Sequence, residues 1–141
     1  MTTVLEREPD SQLRTHHPFS KESKLRLSLE VCSLEDITII TCRGRISFGR
    51  EASALSRRIA ELMPHTRQLV LELSGVDMID SAGLGELVMV LMWAQACDCT
   101  LKIAAPRKPI HELLELTNLA SALDIYPTLE EAVLASRGQA A

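Results

Sequence analysis

Strand-like and helix-like hydrophobic patterns alternate along most of this 141-residue sequence, and this alternation limits the folds that it can adopt. An apolar–polar alternation over 25–31 and a β-branched run over 37–42, separated by a short turn sequence, predict an antiparallel hairpin. Helices are then predicted at 50–62, 81–96, 109–117 and from Thr128 onward, with strands at 69–73, 99–104 and 125–126 between them. Because strands joined by a helix run parallel, we expect a single α/β domain in which helices pack on a mixed β-sheet.

Two finer predictions concern the ends of strands. Gly44 is expected to end the second strand, since glycine interrupts strand patterns. Ser74 to Asp77 is expected to form a turn because serine, glycine and aspartate are typical turn residues. Residues 78–79 would then form only a brief extended piece before the longest helix.

The two ends of the chain lack the patterns of its middle. Residues 1–24 are polar, carry both charge signs and contain two prolines, without a sustained hydrophobic period. We therefore expect a flexible N-terminal tail over 1–24, a domain over 25–135 and a frayed C-terminus over 136–141.

Charge and hydropathy favour a protein-binding role over other classes of partner. The net charge is −4, whereas a protein that grips phosphate backbones needs clustered Lys and Arg, so we expect no nucleic-acid partner. Arg107 and Lys108 form one of only two short basic pairs and are interpreted as solvated surface. No apolar run reaches the roughly 18 residues that a membrane span needs, so we expect no direct membrane insertion and a cytoplasmic protein.

The four cysteines give no sign of a metal or cofactor site. Cys32 and Cys42 lie in apolar runs and are predicted to be small core residues. Cys97 and Cys99 form a C-x-C pair without a histidine at zinc-ligand spacing. We therefore expect free thiols, no metal site and no cofactor.

The segment from 71 to 86 carries the most specific information in the chain. It runs from an apolar strand through two acids to Ser81, which is predicted at a helix start where backbone N–H groups lack partners. Gly83 and Gly85 fall in the first turn, although glycine in a helix interior costs about 1 kcal/mol relative to alanine. Close approach of another backbone or of an anion would explain them.

Simpler and catalytic interpretations of this segment compete. Asp80 or Ser81 can serve merely as the N-cap of the helix. A serine hydrolase elbow is not present because Ile79, not glycine, stands two residues before Ser81. Gly83 and Gly85 match neither of the common nucleotide-binding glycine motifs. We therefore expect no catalytic residues and no enzyme activity.

The run Leu73-Ser-Gly-Val-Asp-Met-Ile-Asp-Ser-Ala-Gly-Leu-Gly85 closely resembles the signature of STAS domains, the family of bacterial anti-sigma factor antagonists. The resemblance implies a mixed sheet with packed helices over about 25–135. It also implies a phosphorylatable serine directly after the aspartate, which is Ser81 here, followed by Ala82. In such antagonists the partner is an anti-sigma factor that is also the serine kinase, and only the unphosphorylated form binds it.

One position departs from the family pattern. The stretch Gly44-Arg-Ile-Ser-Phe48 carries Ser47 where the family often has aspartate, in a loop that lies near the serine and the partner surface in the antagonists. Serine in place of aspartate bears on which partner the chain binds. Because this position lies near the partner surface in the antagonists, we include Ser47 among the predicted partner-binding residues.

Two functions follow from the resemblance. The first is a regulatory protein-binding module of the anti-sigma factor antagonist kind, in which phosphorylation of Ser81 controls partner switching. The alternative is a STAS subunit that docks on a lipid-transport ATP-binding-cassette complex or a stressosome-like assembly and tolerates Ser81→Ala.

The helix after Ser81 is apolar nearly all round, which indicates burial or an interface. Its core stripe is predicted as Leu84, Leu87, Val88, Leu91 and either Ala94 or Gln95, with Glu86, Met89 and Trp93 on the opposite side. The predicted docking surface for a partner, or for a second copy in a homodimer, comprises Ser47, Asp80, Ser81, Ala82, Gly83, Gly85, Met89 and Trp93. The alternative is that residues 1–24 or the C-terminal helix cover the strip.

Overall fold

A computed structural model describes residues 26–47 and 49–140 of the chain. Five strands are present: β1 (Leu27–Leu34), β2 (Ile37–Ile46), β3 (Gln68–Ile79), β4 (Thr100–Ala104) and β5 (Asp124–Tyr126). Four α-helices accompany them: α1 (Arg50–Leu62), α2 (Ser81–Ala96), α3 (Lys108–Leu116) and α4 (Leu129–Ala140). Every predicted helix and strand of the domain is therefore present, in the predicted order.

The five strands form one sheet in the order β1-β2-β3-β4-β5. β1 and β2 pair antiparallel, while each later pair is parallel because a helix carries the chain back between its two strands. The prediction of an α/β domain with a mixed sheet is confirmed. The parallel strands place the ends of β2, β3 and β4 at one edge of the sheet, which we call the carboxyl edge.

The helices pack on both faces of the sheet. On the first face, α1, α2 and α3 contribute side chains such as Leu55, Leu87 and Leu114 to the larger core. On the second face, α4 contributes Ala132 and Val133 to a smaller core. Because α4 lies behind the sheet, it does not cover the outer side of α2; the other proposed cover, residues 1–24, lies outside the described residues.

β3 continues through the segment that was predicted to turn. The prediction of a turn at Ser74 to Asp77 is wrong, because β3 runs unbroken to Ile79. β2 likewise passes Gly44 and ends at Ile46. The β2–β3 pairing shifts register twice, once between Thr41 and Arg43 and once at Gly44, so β-bulges absorb the extra residues of β3. Strand pairing thereby extends to the point where α2 begins.

The C-terminal helix begins as predicted and continues farther. The Thr128 hydroxyl oxygen accepts a hydrogen bond from the Glu131 backbone N–H at 3.1 Å, which is the N-cap contact that the sequence indicated. The helix reaches Ala140, beyond the predicted domain end at 135. Ser136 is buried, and its hydroxyl donates to the Ala132 carbonyl oxygen at 2.9 Å. The turn around Ser136 is therefore packed helix.

Whether Cys32 and Cys42 are buried depends on which side of its strand each side chain points to. Cys42 is fully buried, as predicted, and burial raises the pKa of its thiol to about 12. The prediction for Cys32 is wrong: it is exposed, because Leu27, Leu29 and Val31 alternate inward along β1 and Cys32 points the other way. Cys97 is exposed and Cys99 buried, and all four thiols are free.

This arrangement predicts two fast and two slow thiols in a disulfide-exchange assay with Ellman's reagent. Between pH 7 and 9, Cys32 and Cys97 should react first, because the reagent reaches their exposed sulfur atoms. Cys42 should stay unreactive over that range because its pKa lies near 12. Replacing both Cys32 and Cys97 by serine should remove the fast phase; a fast phase that survives would contradict the packing of β1 and β2.

Candidate functional site

The end of β2, the end of β3 and the start of α2 meet at the carboxyl edge. Ile46, the last residue of β2, pairs with Ile79, the last residue of β3. The Ile46 carbonyl oxygen also accepts a hydrogen bond from the Asp80 backbone N–H at 3.3 Å. Ser47 follows Ile46 directly and is half-buried, so this junction brings it next to the Asp80–Ser81 segment. Two regions 33 positions apart in the sequence thus form one site.

Asp80 is the N-cap of α2. Its backbone is extended, and its Oδ1 accepts a hydrogen bond from the Gly83 backbone N–H at 2.9 Å. Its carbonyl oxygen accepts the first helical hydrogen bond, from the Leu84 N–H at 2.9 Å. The choice between Asp80 and Ser81 as cap is resolved in favour of Asp80.

Ser81 is consequently left with an unused hydroxyl. It occupies the first helical position, is exposed, and within the described part of the chain its side chain has no hydrogen-bond partner. The first N–H groups of a helix lack intrahelical acceptors and together with the helix dipole favour an anion. The position therefore suits a negatively charged group attached to the serine oxygen.

Gly83 and Gly85 have different surroundings. Gly83 is buried, and a Cβ there would collide with the Ile46 carbonyl oxygen and lie 3.0 Å from its carbonyl carbon. Close backbone approach, one of the two expected causes, therefore explains Gly83. Gly85 is exposed, and a Cβ there would meet no atom within 4 Å. Nothing in the described fold requires glycine at 85.

An ion pair beside the site was not predicted from sequence. Arg107, in the loop between β4 and α3, hydrogen-bonds through its guanidinium to Asp77 Oδ1 near the end of β3. Both side chains are more than half exposed. Arg107 had been interpreted as solvated surface, because no local pattern reveals a partner 30 residues away. The pair offsets the negative charge of Asp77, which lies four positions before Ser81 in the sequence.

The core stripe of α2 differs in part from its prediction. The buried residues are Gly83, Leu87, Val90 and Ala94, so Val90 takes the place of the predicted Val88, and of the two alternatives at the end of the stripe Ala94 is the one that faces the core. Hydrophobic spacing alone could not identify the buried side of this helix, because every side of it carries apolar residues. Leu84 and Leu91 pack at the edge of the core, as partly buried residues.

The outward side of α2 begins at Ser81. Gly85 and Met92 lie almost in line with it, since eleven residues amount to three turns plus about 20°. Met92 is 62% exposed and Trp93 37% exposed, with Met89 half-buried beside Trp93. Trp93 and Met89 therefore lie on the flank of the outward side and not, as predicted, opposite the core. We call Ser81, Gly85, Met89, Met92 and Trp93 the α2 strip.

The remaining chemistry of the site is sparse. His65 lies at the start of β3, the opposite end of the sheet from Ser81, and His111 contacts Glu115 at 3.8 Å on α3. Among the described residues, no group of three His, Cys, Asp or Glu side chains could hold a metal ion. No helix in the described ranges is long and apolar enough to cross a membrane.

Comparison with known proteins identifies similar sequences and folds. The family model described as STAS domain matches residues 28–132. A candidate anti-sigma factor antagonist of Thermotoga neapolitana is 31% identical over 72 residues, which are 51% of this chain and 64% of the relative. The match thus spans less than two thirds of that relative's length.

Three solved structures show the same fold. A candidate anti-sigma factor antagonist from Thermotoga maritima has a TM-score of 0.72 at 24% identity, covering 77% of this chain and 94% of its own. The Bacillus cell fate determinant SpoIIAA in its phosphorylated form has a TM-score of 0.61 at 13% identity, covering 75% and 96%. A sulfate transporter family protein from Wolinella succinogenes has a TM-score of 0.64 at 14% identity, covering 75% and 88%.

The two glycines of α2 provide a matched test of the junction. Gly83→Ala should lower the free energy of unfolding by roughly 1–3 kcal/mol, because the new methyl group must displace the Ile46 backbone. Gly85→Ala should raise it by about 0.5–1 kcal/mol, because the site is open and alanine favours the helix. Urea denaturation of both variants measures the difference. Equal effects of the two substitutions would contradict the close approach of Ile46 to Gly83.

Proposed function

The chain belongs to the STAS domain family, and on that premise we propose that it is a protein-binding regulator of the anti-sigma factor antagonist kind, switched off by phosphorylation of Ser81. One observation carries this proposal: Asp80 caps α2, so the exposed hydroxyl of Ser81 is left free at the positive end of the helix. A serine that capped the helix would lose that contact on modification, whereas the Ser81 hydroxyl makes no such contact within residues 26–47 and 49–140.

Local charges support a switch that leaves the fold intact. Phosphorylation adds about 1.5–2 negative charges at neutral pH. Of the two nearby acids, Asp77 is paired with Arg107, and the Asp80 carboxylate is engaged with the Gly83 N–H. The Arg107 charge offsets that of Asp77, and the start of α2 attracts the phosphate. The added charge should act mainly on a partner that docks over Ser81.

The proposed partner is an anti-sigma factor that also acts as the serine kinase. The name of the Thermotoga relative supports an anti-sigma factor as partner, and the phosphorylated form of SpoIIAA supports phosphorylation as the switch. The role is regulation of transcription in the cytoplasm by binding, without catalysis by this chain. Ser47 and Ala82 border Ser81 at the junction, so the partner would contact them together with Asp80 and Gly83.

The α2 strip is proposed as the rest of the docking surface. It joins Ser81 to exposed Met92 and half-exposed Trp93 along one side of one helix. Tryptophan anchors many protein interfaces, and methionine adapts to a partner's shape. A kinase partner that reached Ser81 would therefore pass over an apolar surface with few polar groups to desolvate.

Incubation of the purified chain with the kinase encoded near its gene and ATP should place one phosphate, on Ser81. Ser81→Ala should abolish the modification, while Ser47→Ala should leave it. Phosphopeptide mass spectrometry locates the group. Two outcomes would favour the alternative of a constitutively docked subunit. One is phosphate on another residue; the other is no phosphorylation by any kinase encoded in the genome while Ser81→Ala still binds its partner.

Ser81→Asp should weaken binding to that partner at least tenfold while the melting temperature stays within about 3 °C, because the helix start accommodates the charge. The matched control is Ser33→Asp, which adds the same charge at an exposed position of β1 near the opposite end of the sheet. Titration calorimetry and thermal denaturation give the two readouts. Equal binding losses in both variants would show a general charge effect and contradict the site.

Met92→Glu and Trp93→Glu should each reduce partner affinity at least tenfold with little loss of stability, because both side chains reach the outward side of α2. Leu134→Glu is the control: it places the same charge on a similarly exposed apolar residue, on α4 behind the sheet. Trp93, the only tryptophan, should be open to acrylamide in the free chain and protected in the complex. Blue-shifted, quencher-protected emission from the free chain would show that the strip is already covered.

A further inference from the structure

Three arginines share the second face of the sheet at its carboxyl edge. Arg26, Arg43 and Arg45 are exposed, and each lies next to an inward residue: Leu27, Cys42 and Ile46 respectively. Because side chains alternate along strands, the arginines point to the face opposite α1 and α2. We call them the arginine face. α4 packs on the same face but farther from the carboxyl edge, against residues such as Ile39 and Val70.

Two of these arginines face each other across the hairpin. The Arg45 N–H donates to the Arg26 carbonyl oxygen at 2.8 Å, one position beyond the last β1–β2 pair, Leu27 with Gly44. Like charges directly opposite each other on antiparallel strands are destabilising. Folding alone therefore gives no reason for arginine at both positions.

The third arginine is held in place by a glycine on the neighbouring strand. Arg43 is in register with Gly75 of β3, and a Cβ at Gly75 would lie 2.7 Å from Arg43 Cγ. The Arg43 stem thus occupies the space above Gly75, in the middle of a strand where glycine is otherwise unfavourable. This packing restricts the first part of the Arg43 side chain and leaves its guanidinium exposed.

Nearby acids offset only part of the charge of the face, and the Glu51 carboxylate interacts with the charge of Arg26. Asp77 is engaged by Arg107, and Glu72 Oε1 accepts the Ser74 N–H at 3.3 Å. Glu51 accepts the backbone N–H of Arg26 at 2.9 Å, and this hydrogen bond lowers the pKa of its carboxyl. In the described part of the chain neither Arg43 nor Arg45 has an ion-pair partner.

We propose that the arginine face binds an acidic segment of a partner protein. Guanidinium groups hold carboxylates through paired hydrogen bonds, and clusters of them recognise acidic motifs. An acidic polypeptide fits better than nucleic acid or an anionic membrane, because three arginines form too small a cluster to grip a phosphate backbone or a lipid surface. This surface lies on the sheet face away from α2, so it extends recognition beyond Ser81 and does not depend on its phosphorylation.

Fluorescence anisotropy of a fluorescein-labelled octaglutamate peptide, titrated with the full chain at low salt, tests the proposal. The wild-type chain should bind the peptide. The double variant Arg43→Gln with Arg45→Gln should bind it about tenfold more weakly, because glutamine removes the charge and keeps only part of the aliphatic side chain of arginine. The matched control is Arg57→Gln with Arg67→Gln, which removes two exposed arginines from elsewhere. It should change affinity less than twofold, and an octalysine peptide should not bind.

Each other outcome overturns the proposal. Absence of octaglutamate binding to the full chain would mean that the face is solvated surface or is occupied by the chain's own segment. Equal weakening by both double variants would mean that only net charge attracts the peptide. The readout needs neither a kinase nor Ser81, so its failure and a failure of the phosphorylation switch are distinguishable.

Discussion

The contact between the Ile46 carbonyl group and the start of α2 fixes the geometry of the whole carboxyl edge. One oxygen accepts the Asp80 N–H and faces Gly83, so the end of β2, the end of β3 and the first turn of α2 cannot move independently. Only glycine permits this approach, since any side chain at 83 would strike backbone atoms. The contact positions Asp80 as the cap and thereby leaves Ser81 exposed.

This geometry separates the stability of the domain from the proposed signal. The cap and the Gly83 contact stabilise the fold, and neither involves the Ser81 hydroxyl. A phosphate at a helix start is favoured by about 0.3–1 kcal/mol, which opposes residual repulsion from neighbouring acids. Phosphorylation can therefore change the surface without unfolding the domain, as a reversible partner switch requires.

Sequence reasoning succeeded where local periodicity decides the structure. The alternation along β1, the apolar stripes of α1 and α3 and the helix start at Thr128 gave the order of elements and the mixed sheet. Ser81 at the start of a helix followed from the same patterns, and the STAS resemblance came from a contiguous motif. These features depend on residues near one another in the chain.

The failures arose where distant segments decide. Ser74 to Asp77 has turn composition, but pairing with β2 draws it into β3 through bulges that no local pattern shows. The inward side of α2 depends on its packing against the sheet, since apolar residues surround the helix. The Arg107–Asp77 pair likewise joins residues 30 positions apart.

The most direct measurement is the affinity of the proposed anti-sigma factor partner for this chain before and after stoichiometric phosphorylation, determined by titration calorimetry on the same preparation. Binding should fall at least a hundredfold on phosphorylation and return after phosphatase treatment, while circular dichroism shows an unchanged fold. Undiminished binding by the phosphorylated chain, or a loss of binding that accompanies unfolding, would contradict a switch that acts through Ser81 on the partner alone.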